Sequence, residues 1–203
     1  MRTDSTTADG LRSFVAVDLS PEVRRLLVET IRSLAGSLPK ETVRWVRPEG
    51  THLTLKFLGE VAANRVPEIE SSLQSAVEGQ PPFEVVVEGL GCFPSASRPR
   101  VVWIGIQDPT GWLVRTQHEI EAALAGIGFP REDRPFSPHL TLGRLRDGMP
   151  PAVARGVGEA LGRERPGQPC GMPVREIKLY RSELRPGGAV YSALWVGKLE
   201  SGR

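Results

Sequence analysis

A chain of 203 residues, 39% hydrophobic and 25% charged, is long enough for one well-cored domain or two small lobes sharing a core, and too short for a multidomain assembly. A formal net charge of +2 argues against a protein that coats nucleic acid by charge alone, so any such contact is local to a site. No apolar run approaches the length of a membrane span. Cys92 and Cys170 stand far apart without metal-ligand spacing, which gives a disulfide framework or zinc site little support and fits a reduced cytoplasmic setting.

Met1 to Gly10 is polar, without the basic start and apolar stretch of a secretory signal, and reads as a flexible tail. Phe14, Val15, Ala16, Val17 and Leu19 then predict a strand, ended by Ser20-Pro21. That pair is a helix-start signal, followed by helical spacing through Leu26, Leu27, Ile31 and Leu34. Val43 to Val46 reads as a short strand, and His52 to Leu58 as a strand closed by Gly59. Val66, Ile69, Leu73 and Val77 predict a helix that Gly79, Pro81 and Pro82 break. Strands follow at Phe83 to Val87, with an extension toward Phe93, and at Val101 to Ile106. The next helix carries Leu113, Ile120, Leu124 and Ile127 and ends at Gly128. A strand from His139 to Leu142, a weaker helix near Val153 to Leu161, and closing strands at Val174 to Leu184 and Val190 to Leu199 complete the chain. No repeat of 20 to 50 residues runs through it, which excludes a solenoid.

One short motif recurs: His52-Leu53-Thr54-Leu55 returns as His139-Leu140-Thr141-Leu142, each copy in a predicted strand with a glycine beyond it. With three histidines and ten threonines in the chain, two histidines each having Thr at the second following position has a chance probability on the order of 1%. In a strand, alternate side chains share a face, so His and Thr point one way and the leucines the other. The leucines suit a core and the His and Thr a cleft, and the duplication suggests two related halves.

Histidine is the side chain best suited to give or take a proton near neutral pH. Two of them on opposite sides of a phosphorus can act as acid and base in one in-line displacement. Threonine hydroxyls beside them can donate to the non-bridging phosphate oxygens, although β-propensity alone also places threonine in strands. Strand parity puts Arg144 off the face of His139 and Thr141 unless Gly143 permits a bulge. It is then either a phosphate clamp or a solvated arginine. Lys56 shares the face of His52 and Thr54 by alternation, where it can approach a substrate or sit as an edge lysine. Arg134 flanks the second motif, Phe136 and Trp45 suit a core or a stacked base, and His118 falls off the buried stripe of its helix.

These residues resemble the two-histidine phosphoesterase superfamily, and within it the RNA 2′,3′-cyclic phosphodiesterases long called 2′-5′ RNA ligases. The likeness extends over Arg12 to Val17, Trp45, His52 to Glu60, Gly89 to Pro94, Arg100 to Trp103, Arg134 to Arg144, Ser182, Gly187-Gly188 and Tyr191. The resemblance implies an α+β, bilobal fold: two pseudo-symmetric lobes of mostly antiparallel sheet backed by helices, with a central active-site cleft. It implies one domain over residues 11–199, between a tail at 1–10 and a short tail at 200–203. It implies His52 as proton donor to the leaving 3′ oxygen and His139 as proton acceptor that activates water, with a 2′-phosphate as product and 2′-5′ ligation as the reverse reaction. Thr54, Thr141 and Arg144 match phosphate-binding positions, and neither metal nor cofactor is implied. The expected partners are RNA ends or nucleotides bearing a 2′,3′-cyclic phosphate, met by a cytoplasmic monomer.

Three other readings compete. The same site can take a cyclic nucleotide, a 2′,5′-linked oligonucleotide or an ADP-ribose cyclic phosphate. A non-catalytic RNA-end binder can keep the fold, but binding alone does not require two titratable imidazoles. A metallohydrolase lacks a His/Asp/Glu cluster of suitable spacing.

Overall fold

The first apolar run of the sequence becomes the inside of a sheet to which both ends of the chain contribute. A computed structural model of the chain describes residues 10–164, 166–186 and 188–201, so the tail expected at 1–10 lies outside the described residues except for Gly10. Gly10 opens β1 (Gly10–Asp18) and pairs with Ala62 on β3 (His52–Ala62). With β8 (Glu176–Arg185) and β9 (Gly188–Lys198) these strands form a four-stranded antiparallel sheet in the order β3-β1-β8-β9. The second sheet is built from β2 (Val43–Trp45), β4 (Phe83–Phe93), β5 (Val101–Gln107), β6 (His139–Leu145) and β7 (Cys170–Val174). Its strands are also antiparallel, in the order β2-β6-β5-β4-β7.

Four helices back the sheets. In α1 (Pro21–Ser37) the Ser20 hydroxyl accepts from the Val23 amide at 3.3 Å and Pro21 fills the first turn, while Val23, Leu26, Leu27 and Leu34 face inward. Helices α2 (Val66–Val77) and α3 (Trp112–Gly126) pack on each other and against β9 and β3 respectively. α1 packs against β7, and α4 (Pro151–Arg163) against β4. A single continuous core joins both sheets. Val15, Val17, Leu53 and Leu55 come from the first, and Ile104, Leu140, Leu142 and Met172 from the second. Each such buried side chain contributes about 1.5–3 kcal/mol.

Two expected boundaries are corrected. Gly59 does not close β3: at φ 70° it sits where the β1 register shifts between Ser13 and Phe14, and the strand runs on to Ala62. A glycine in the left-handed region accommodates a bulge without ending the strand. The strand expected from Val174 to Leu184 divides there, with Val174 closing β7 and β8 starting at Glu176. Pro173 is tolerated in β7 because that strand is the edge of its sheet.

Candidate active site

The recurring motif is carried by a recurring backbone irregularity. On β3, Leu53 faces Val17 and Thr54 faces Ala16 across the β1 ladder, but the next pair is Lys56 with Val15 and then Phe57 with Phe14. Leu55 has no partner. This bulge makes Leu55 and Lys56 both point inward and returns Phe57, 60% exposed, to the face of His52 and Thr54. On β6, Leu140 faces Ile104 and Thr141 faces Trp103 across β5, but the next pair is Gly143 with Val102 and then Arg144 with Val101. Here Leu142 is the extra residue. Leu142 and Gly143 are both buried, and Arg144 returns to the face of His139 and Thr141. The bulge left open by the sequence is present, and it removes the parity objection to Arg144.

The first bulge overturns the expected place of Lys56. Its side chain is buried beneath the sheet, where Nζ donates to the Glu121 carboxylate at 2.8 Å and to the Pro130 carbonyl at 2.8 Å. The Gln117 amide donates to the carbonyl of the bulged Leu55 at 3.4 Å. Lys56 therefore sits on the edge strand of its sheet but is neither solvated there nor a group on the open face.

His52 lies in an aromatic box. Phe14 stacks on it at 4.4 Å and 21°, Tyr191 meets it edge-on at 5.0 Å, and Tyr180 lies near-parallel to both rings, 6.0 Å from His52 and 5.4 Å from Phe14. Burial lowers the imidazole pKa from 6.5 to about 4, against the opposing pull of the Asp18 carboxylate. Asp18 is the residue paired with His52 across the ladder, and it accepts from the Lys178 ammonium at 2.8 Å and the Tyr180 hydroxyl at 2.6 Å. Burial raises the Asp18 pKa, but the hydrogen bonds from Lys178 and Tyr180, together with the positive charges of Lys178 and Arg24, outweigh it and hold the carboxyl below its ordinary value. Arg24 donates to the carbonyls of Pro48 and Glu49, each at 2.9 Å, and so fixes the turn that feeds His52 into β3.

His139 is walled by Phe93, edge-on at 4.9 Å, and by Trp103 at 6.2 Å. Its Nδ1 lies 2.7 Å from the Ser137 carbonyl oxygen, which can only accept, so Nδ1 carries the proton and Nε2 is left for other chemistry. Gly91 is required under this wall: a Cβ there would lie 2.3 Å from the Trp103 ring.

β3 and β6 contact one another where the sheets meet. Trp45 is not on the open face; it packs with Val43 over Gly143 and lines a cavity of about 370 Å³ with Leu38, Lys40 and Arg146. Phe136 packs against the core, Arg134 is exposed, and His118 is exposed on α3. Among the described residues no three His, Cys, Asp or Glu side chains converge, and no helix is long and apolar enough to cross a membrane. Asp18, Lys178 and Tyr180 carry no local signal in the sequence, because β1 and β8 bring them together from 160 or more positions apart.

Comparison with known proteins agrees with this duplication. The family model described as LigT like Phosphoesterase matches twice, over residues 17–103 and 104–191, one match for each motif. A relative from Archaeoglobus fulgidus named RNA 2′,3′-cyclic phosphodiesterase is 37% identical over 189 residues, covering 92% of this chain and 99% of that one. A protein of Escherichia coli with the same name is 34% identical over 183 residues, covering 90% and 93%. Among solved structures, one of a Thermus thermophilus protein superimposes with a TM-score of 0.77 at 29% identity, covering 95% of this chain and all of that one. That of E. coli LigT complexed with 3′-AMP gives 0.75 at 28%, covering 94% and 98%.

Proposed function

The chain belongs to the LigT-like phosphoesterase family and is an RNA 2′,3′-cyclic phosphodiesterase, and we propose that His52 and His139 perform the reaction as acid and base without a metal ion. The observation that carries this reading is the repeated bulged strand, which gives each histidine a threonine partner on the same open face. In the proposed step, water attacks phosphorus opposite the 3′ oxygen. His139 Nε2 takes the water proton while the P–O3′ bond breaks, and His52 protonates the departing 3′ oxygen, leaving a 2′-phosphate. The Ser137 carbonyl supports the acceptor role by holding the other ring proton of His139 at Nδ1.

The box around His52 supports the donor role in a different way. Removed from water, its imidazolium is a stronger acid than usual, and the arriving phosphate supplies the negative charge that Asp18 only partly provides. Thr54 and Thr141 donate to the non-bridging oxygens and Arg144 clamps the phosphate. Residues 11–199 act in this proposal as one domain, which the continuous core supports, in a cytoplasmic setting that suits the free Cys92 and Cys170, and as a monomer. The test is product analysis on an oligonucleotide ending in a 2′,3′-cyclic phosphate, with and without a strong chelator. A 2′-phosphate product at an undiminished rate is expected. Loss of activity restored by a divalent ion would overturn the two-histidine mechanism.

A further inference from the structure

β2 is three residues long, and two of them are committed to packing. Val43 and Trp45 close over Gly143, where a Cβ would lie 2.5 Å from Val43 Cγ1 and 3.0 Å from Trp45 Cε3, so glycine is what lets this strand approach β6. The one side chain that β2 sends to the other face is Arg44. Its register partner is Arg144, and Arg144 in turn pairs with Val101 on the face that carries His139, Thr141 and Trp103. Two exposed arginines therefore leave directly opposite positions on neighbouring strands, about 5 Å apart at the backbone.

Like charges directly opposite in an antiparallel pair are unfavourable. Among the described residues neither arginine meets a carboxylate in an ion pair. The pair thus faces outward uncompensated, one strand beyond the row proposed to hold the cyclic phosphate. We propose that Arg44 is the subsite for a second phosphate of the substrate. This rests on the cyclic phosphodiesterase reading: in an RNA whose 3′ end is the cyclic phosphate, the remaining phosphates all lie on the 5′ side. The ligand of Arg44 is therefore the phosphodiester that joins the terminal nucleotide to its neighbour, and Arg144 lies between the two phosphates. A guanidinium suits this role because its planar fork binds a phosphate through two parallel donors.

The subsite makes a polynucleotide a better substrate than a mononucleotide, and that difference is the measurement. For wild type, Arg44→Ala and Arg44→Lys, kcat/KM is determined on a nucleoside 2′,3′-cyclic phosphate and on an oligonucleotide with the same terminal base. The oligonucleotide-to-mononucleotide ratio should fall about tenfold in Arg44→Ala, the loss expected of one charge-assisted phosphate contact, and be partly restored in Arg44→Lys. The decline of oligonucleotide binding with salt should also become shallower by about one phosphate contact. Arg163→Ala, on the exposed side of α4, should leave the ratio unchanged. Thermal unfolding is recorded alongside, and Arg44→Ala should not lower the midpoint because it relieves a like-charge pair. A ratio unaltered by Arg44→Ala overturns the subsite while leaving the phosphodiesterase reading intact. A wild type inactive on both substrates overturns that reading itself.

Discussion

The two halves carry the same four-residue motif and the same bulge, yet they differ at the residues the bulge displaces. After the extra leucine, the inward position holds Lys56 in the first half and Gly143 in the second, and the outward position holds Phe57 and Arg144. The first half encloses its histidine among Phe14, Tyr180 and Tyr191; the second keeps Phe93 and Trp103 beside its histidine and sets Arg44 and Arg144 nearby. One backbone solution thus produces a desolvated imidazole and an imidazole on a strand that also presents an exposed arginine to the same face. Acid–base chemistry at one phosphorus needs two such unlike environments.

The largest expected effects test whether the unlike histidines act as a pair. His52→Ala and His139→Ala should each lower kcat by about 10²-fold to 10⁴-fold or more, and the double variant should lose far less than the product of the two. His118→Ala serves as the control, being exposed on α3. A folded single variant with near wild-type turnover would remove that histidine from the mechanism.

Lys56 is where the halves differ most in what they bury. Removing one partner of a buried ion pair leaves the other charge uncompensated, so Lys56→Met should cost about 3–5 kcal/mol of stability in denaturant unfolding. Lys56→Met with Glu121→Leu should recover most of it. Failure of the double variant to recover would mean that the Pro130 carbonyl and the Glu132 amide, 3.4 Å from Glu121, depend on the charges themselves.

The aromatic box makes a pH prediction. His52 has its folded pKa lowered from 6.5 to about 4, so its contribution to stability is present above pH 6.5 and is lost as pH falls through about 4. The loss is up to about 3 kcal/mol. Asp18 and other carboxylates lose stability over part of the same range, so the informative quantity is the difference between wild type and His52→Gln. The wild-type advantage should shrink between pH 7 and pH 4.5 in urea unfolding. Parallel curves would show that the box does not desolvate the ring.

Much of this was legible in the sequence because it is local. The paired motif, the buried leucines and the helix starting at Ser20-Pro21 follow from spacing and capping. The bulges were not, because an extra residue in a ladder is a property of the hydrogen bonding between strands, and alternation alone sends Lys56 outward. Gly143 offers a hint in the second half, whereas Gly59, a strand-ending residue by type, marks an irregularity within β3. The box was illegible for another reason. Asp18, Lys178 and Tyr180 meet only because the last strands of the chain return to pair with the first.

The smallest expected effect concerns the position where the halves diverge outward. If Arg144 clamps the phosphate, Arg144→Ala should lower kcat/KM about tenfold to 10²-fold without loss of folding, since the side chain is exposed. Arg144→Lys should recover only part, because a point charge lacks the planar fork. The bulge gives the sharper version of this test. Phe57 occupies the corresponding position in the first half, so an arginine at the right depth but on the wrong side can be made as Phe57→Arg in the Arg144→Ala background. If the two halves are chemically distinct, that relocated charge should not restore the rate, measured on the same cyclic phosphate. Restoration would mean that the face needs one positive charge and is indifferent to which histidine it accompanies.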